Sequence, residues 1–195
     1  MGSNETKLDQ TIDSESVREL SNTELSNTEL SNTGQSDITV VQSTRFGPMQ
    51  VATDSIITFP KGLIGFPDGI RFVMFDHKPP FAWLHSVDDP SLAFVVMDGS
   101  QFLGQFELKP PHSEAELDLH EDDDYAILVV VTVRGEPSLT TANIKAPLFV
   151  NLRNRCGAQV IYDDPSFPTR FALYKAESAK DPIINQPVVK EPADK

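Results

Sequence analysis

Residues 81–98 read Phe81-Ala-Trp-Leu-His-Ser-Val-Asp-Asp-Pro-Ser-Leu-Ala-Phe-Val-Val-Met-Asp98. An apolar run over 81–84 leads into Ser86-Val87-Asp88-Asp89-Pro90, and a second run over 92–97 leads away. Ser and Asp side chains bond nearby backbone groups and Pro fixes φ, so the middle is a turn. The flanking runs are too short for helices and rich in Val and aromatics. They predict two strands joined by a tight loop, and this hairpin carries the chain's single Trp, Trp83.

Outward from the hairpin the same signals repeat. Phe46-Gly-Pro-Met-Gln-Val51 starts the folded part, with a bend or edge at Gly47-Pro48, and strands are expected over 56–59 and over 71–76, the last closed by Pro79-Pro80. Residues 102–108 read as another strand, and residues 125–134, apolar on both faces, as the longest and a central one. Residues 140–146 and 148–152 form a strand broken at Pro147, and Gln159-Val-Ile161 returns after a turn at 153–157. Three glycines and two prolines exclude regular structure between Pro60 and Gly69, where Leu63, Ile64 and Phe66 are expected to pin the loop to the core. Ser113-Glu-Ala-Glu116 matches a capping box and predicts at most one short helix. The fold class is all-β: a small barrel-like antiparallel domain of about ten short strands.

The folded part is expected over 44–175, flanked by disordered tails at 1–43 and 176–195. In the first tail, Glu19-Leu-Ser-Asn-Thr23 recurs at 24–28 and 29–33, a five-residue period that fits neither helix nor strand. Aromatics are absent there and apolar side chains too sparse to offset chain entropy. Leu20, Leu25 and Leu30 could form a docking motif. No apolar stretch approaches the roughly 20 residues that span a bilayer, and the myristoylation-like start Met1-Gly2-Ser3 reads as a chance match. The one cysteine, Cys156, excludes an intrachain disulfide and fits a reducing compartment. Net charge is −13, with 17 acids and 11 bases over 44–175. Such a chain repels nucleic acid and acidic lipid and attracts basic protein surface.

Motifs for chemistry are missing. Asp88-Asp89, Asp163-Asp164 and the run 121–124 lack the spacing that wraps calcium, and read as solvated turns. His77, His85, His112 and His120 have no zinc-like separation. Cys156 stands between Arg153-Asn154-Arg155 and Gly157 without a nearby His, a poor setting for a nucleophile. Neither a phosphate loop nor a nucleophile elbow is present. What remains is surface: residues 86–90 and the segment Thr141-Ala-Asn-Ile-Lys-Ala-Pro147 combine polar groups with apolar flanks, as binding rims or as ordinary turns.

Four segments together resemble the FliW family of bacterial flagellar assembly factors. They are Phe46-Gly47, Ile57-Thr-Phe-Pro-Lys-Gly-Leu-Ile-Gly-Phe66, the stretch 83–94, and 141–147 with 159–161. Two positions depart from the family pattern: His85, where Gln is commoner, and Cys156, in a turn usually basic or polar. The resemblance implies no catalysis and no cofactor. It implies a cytoplasmic protein with two partners: flagellin, held before export, and CsrA, an RNA-binding translational repressor. Freed of flagellin, such a protein binds CsrA and relieves repression of flagellin mRNA. The residues expected to carry binding are Trp83, Ser86, Val87, Asp88, Asp89 and Pro90, with Asn143, Lys145 and Pro147; Asp88 and Asp89 would meet basic groups of a partner. The competing class is a small-molecule-binding barrel or a metal-dependent hydrolase using Asp88 and Asp163. A large pocket with converging carboxylates would favour it.

Overall fold

The hairpin is the middle of a large antiparallel sheet. In the computed structural model, which describes residues 37–110, 117–120, 123–175 and 178–182, Trp83 stands opposite Val95 and Leu84 opposite Phe94. The strands are β1 (Ile38–Val41), β2 (Met49–Ala52), β3 (Ile57–Thr58), β4 (Arg71–Asp76), β5 (Phe81–Ser86), β6 (Ala93–Asp98) and β7 (Tyr125–Thr132). They continue with β8 (Thr141–Ala142), β9 (Leu148–Asn151), β10 (Gly157–Gln159), β11 (Phe171–Ala172), β12 (Tyr174–Lys175) and β13 (Ser178–Pro182). Nine of them form one sheet in the order β10-β9-β7-β6-β5-β4-β3, with β8 on the far end of β7 and β11 on β8. Helical structure among the described residues consists of short 3-10 turns at Thr53–Ser55, Gly99–Phe102 and Pro137–Leu139.

Alternation along each strand sends side chains to two faces, and both are buried. Phe72, Met74, Ala82, Leu84, Val96, Ala126, Leu128, Leu148 and Val150 share one cluster with Ile57 and Phe59. The interleaved residues Met97, Ile127, Val129, Val131 and Phe149 pack on the other face under Phe102, Leu108, Leu117, Ile144 and Leu173. A third cluster, Val41, Val51 and Val73, seats the β1–β2 hairpin on β4. Double-sided burial explains why residues 125–132 are apolar throughout. This strand pairs with β6, β8 and β9 and is central, as expected.

The barrel-like expectation holds in part: the sheet curls but its ladder does not close. Its ends meet at one parallel bridge, Thr58 with Cys156, where Thr58 N donates to Arg155 O at 2.9 Å. The close approach needs a glycine. A Cβ on Gly157 would lie 2.7 Å from Phe59 Cζ, inside van der Waals contact. The loop 60–69 has its own such position: Gly62 sits at φ +66, where a Cβ would also strike Phe66 O at 2.6 Å, so the turn is built for a residue without a side chain.

Four expectations are corrected. Ordered chain begins before Thr44, because residues 38–41 pair with residues 49–52 in the β1–β2 hairpin. It extends past Lys175, because β13 pairs with β12. Residues 102–108 are not a strand: Asp98 Oδ1 accepts from Ser100 N at 2.8 Å and starts a 3-10 turn that buries Phe102. Of the three residues meant to pin the 60–69 loop, Leu63 does so at 4% exposure, whereas Ile64 and Phe66 are 55% and 42% exposed. Phe66 does lean edge-on against Phe94. The helix expected from Ser113 lies outside the described residues.

Candidate functional site

The loop between β5 and β6 is tied down by its own side chains. Ser86 is buried, and its Oγ accepts from Asp88 N at 3.1 Å and Asp89 N at 3.0 Å. Asp89 Oδ1 accepts from Ser91 N at 2.8 Å and from Ser91 Oγ at 2.7 Å. Pro90 O accepts from Thr44 N at 2.9 Å. Asp88 is gripped by the Arg71 guanidinium through Nε at 3.1 Å and through Nη2. The hydrogen bond from Arg71 holds the Asp88 carboxyl below its ordinary range, and those from Ser91 do the same for Asp89. Asp88, Asp89 and Pro90 are exposed and Val87 is half-buried. Within this chain Asp88 already has a basic neighbour, on the first residue of β4. Asp89 keeps an exposed carboxylate for other contacts.

Beside the loop lies an aromatic shelf. Trp83 and His85 project from the same face of β5. The residues linking β1 to β2 cross that face. Phe46 stands edge-on to Trp83 and to Phe75, with centroids 5.5 and 5.0 Å apart, and Arg45 lies 4.9 Å over the Trp83 ring. His85 is 1% exposed. Its Nδ1–H donates to Ser86 O at 2.6 Å, which leaves Nε2 to accept from the Ser43 hydroxyl at 2.8 Å. The departure at His85 therefore ties β5 to the β1–β2 connection. Phe46 stays 40% exposed. A pocket of about 320 Å³ opens between shelf and loop, lined by Thr44, Arg45, Trp83, His85, Pro90, Ser91 and Ala93. The Arg45 guanidinium over the Trp83 face makes a cation–π pair in the wall of this pocket. Arg45, Phe46 and Arg71 were not picked out by sequence reasoning, because each meets the loop only through strand pairing or a connection distant in sequence.

The second segment does not join this site. Residues 141–147 begin with β8, which pairs with β7, two strand positions from β5. Their partners are local: Asn143 N donates to Val130 O, and Ile144 N and Lys145 N donate to Pro168 O. Pro147 is buried, and Asn143 and Lys145 are half-buried. Asn143 Oδ1 is buried and has no hydrogen-bond partner among the described residues.

The remaining candidates divide. Asp123 is bound by Arg153 Nε at 2.8 Å, His120 N at 2.9 Å and Asn151 Nδ2 at 3.1 Å, and its carboxyl is held far below the usual range, mainly by Arg153. It is a structural clasp. Asp164 accepts from Ser166 N at 2.8 Å in a turn. Glu121, Asp122 and His112 lie outside the described residues. Among the described residues no three His, Cys, Asp or Glu side chains are placed to hold a metal ion, and no helix is long and apolar enough to cross a membrane. The larger pocket, about 600 Å³, lies between residues 60–67 and 157–161 and has no carboxylate in its lining.

Known proteins give this surface a family. The FliW protein family model matches residues 39–173. The flagellar assembly factor FliW of Syntrophus aciditrophicus is 34% identical over 140 residues, covering 69% of this chain and 87% of its own length. That of Leptospira interrogans is 35% identical over 146 residues, covering 72% and 96%. A crystal structure of the flagellar assembly factor FliW superposes with a TM-score of 0.64 at 27% identity, covering 72% of this chain and all of that one. Family model, relatives and solved fold agree, and the chain belongs to the FliW family of flagellar assembly factors.

Proposed function

We propose that this protein binds flagellin in the cytoplasm and, when free of it, binds CsrA and relieves its repression of flagellin mRNA. Family membership over residues 39–173 carries the reading. The charge supports it. An RNA-binding repressor must offer basic surface to phosphates, and a chain of net −13 is drawn to such a surface. Docked beside it, the acidic domain lowers the local potential and weakens RNA binding without covering every contact. The contacts would come from Asp89 and Pro90 on the loop and Trp83, Phe46 and Arg45 on the shelf, with Asn143 and Lys145 as a second, separate rim.

The test is capture from native cytoplasm with the full chain as bait, probed for flagellin and for CsrA. The expected outcome is recovery of both, with added flagellin displacing CsrA. Recovery of neither would overturn the proposal. Turnover of a substrate by the purified protein would favour the competing enzyme class instead.

A further inference from the structure

Two turns meet at the aromatic shelf, and both are built the same way. Ser43 Oγ accepts from Arg45 N at 3.2 Å and from Phe46 N at 3.1 Å, as Ser86 Oγ accepts from Asp88 N and Asp89 N. In each, a serine hydroxyl closes the turn on backbone N–H groups two and three residues further on. The turns touch at the rim, where Thr44 N and Thr44 Oγ1 both donate to Pro90 O, at 2.9 and 3.2 Å. At the floor one buried side chain, His85, joins them.

That joint has a fixed direction. A hydroxyl has two acceptor sites and one proton. Ser43 Oγ fills both acceptor sites with Arg45 N and Phe46 N, so its proton goes to His85 Nε2 at 2.8 Å. The ring proton therefore sits on Nδ1 and goes to Ser86 O at 2.6 Å. The result is one continuous series: the N–H groups of the shelf turn, the Ser43 hydroxyl, the His85 ring and the carbonyl at the start of the loop. Hydrogen bonds in series polarise one another, and away from water no member is easily left unpaired. Ser43 and His85 are 8% and 1% exposed, so neither offers surface to a partner. The groups they hold do. Arg45 lies over the Trp83 ring, and Phe46 stands edge-on to it, largely exposed. The β1–β2 hairpin itself is seated elsewhere, by Val41, Val51 and Val73. The series of bonds thus sets where the shelf stands against the loop.

We infer that Ser43 and His85 are positioning residues for partner binding: through the buried ring they lock the 43–47 turn to the 86–90 loop, so that Arg45, Phe46 and Asp89 are presented as one surface. The role in binding rests on the proposed function; the lock itself does not.

Trp83, the single tryptophan of the chain, reports the lock with no partner present. The variants are His85→Leu, Ser43→Ala and His85→Gln, whose amide supplies one donor and one acceptor on a planar group, as the neutral ring does. Acrylamide quenching of Trp83 in the free protein should rise at least about twofold in His85→Leu and Ser43→Ala, as the shelf opens locally, and stay at the wild-type level in His85→Gln. Affinity for CsrA, by titration calorimetry, should fall about fivefold in the first two and recover in the third. Unchanged amide exchange in β7 verifies the fold, and Ser43→Ala keeps the ring in place and reads the lock from its other end. Equal quenching in the wild type and all variants overturns the inference. So does raised quenching with unchanged affinity for both flagellin and CsrA. Equal losses in His85→Leu and His85→Gln reduce the ring to core packing and overturn it too. A wild-type chain that binds neither partner overturns the functional reading and the role in binding, while the quenching comparison still decides the lock.

Discussion

Asn151 shows how much one side chain can organise. It is fully buried; its Nδ2 donates to Leu117 O at 3.0 Å, Asp118 O at 3.1 Å and Asp123 Oδ2 at 3.1 Å, and its Oδ1 accepts from Arg153 N at 2.8 Å. Asn151→Ala removes these bonds and leaves the carbonyl of buried Leu117 only the longer bond from Asn154 Nδ2 at 3.3 Å, and the expected loss is about 1–3 kcal/mol. A lower urea midpoint at unchanged m-value would confirm it. Asp88 is the contrasting case. Its pair with Arg71 leaves the two side chains 34% and 52% exposed, and such pairs contribute about 1 kcal/mol or less. Asp88→Ala with Asp89→Ala should therefore move the melting temperature by no more than about 5 °C. Under the proposed reading it should weaken binding to at least one partner several-fold, measured by titration calorimetry. Unchanged affinity for both would remove the loop from the interface.

The β3–β10 seam is the element on which the curl of the sheet depends. Phe59 is fully buried and faces the bare Cα of Gly157. Gly157→Ala forces the ring aside, at an expected cost of about 1–3 kcal/mol. Phe59→Leu in that background should recover part of it, and a double-mutant cycle reads the coupling. Elements of this kind also separate what was legible in sequence from what was not. The β5–β6 hairpin and β7 were readable because alternation and a turn, or burial on both faces, leave a local mark. Residues 102–108 were misread because a buried 3-10 turn anchored by Phe102 has the same apolar content as a strand; the deciding contact is Asp98 capping Ser100 N. β1 was hidden by the polar composition ahead of it, since Ile-Thr-Val-Val signals a strand only once residues 49–52 pair with it. The site divides in the same way. The candidate loop 86–90 is legible as a turn from its own residues, but its neighbours Arg71 and Phe46 are not, because register and a crossing connection place them.

Charge acts on the whole molecule in two ways. Within the chain, Asp88, Asp89, Asp123 and Asp164 all have carboxyls held below the ordinary value by hydrogen bonds to the charged form. A depressed folded value means that the unfolded chain binds the proton more readily. Their stabilisation is therefore present above the unfolded carboxylate value of about 3.9 and is lost as pH falls through the folded values. Urea midpoints should be level from pH 7 to about 5 and fall below about 4, with Asp123→Asn flattening the acid limb. Between chains, a net charge of −13 sets the encounter with a basic partner. Long-range attraction of this kind raises the association rate more than it slows dissociation. Its range shrinks from about 10 Å at 0.1 M salt to about 3 Å at 1 M. Under the proposed reading, affinity for CsrA should thus fall on the order of tenfold between about 50 and 500 mM salt, with most of the change in the association rate. Stopped-flow mixing resolves the two rates. An affinity that stays flat with salt would sink the electrostatic mechanism and leave the aromatic shelf to supply the binding energy.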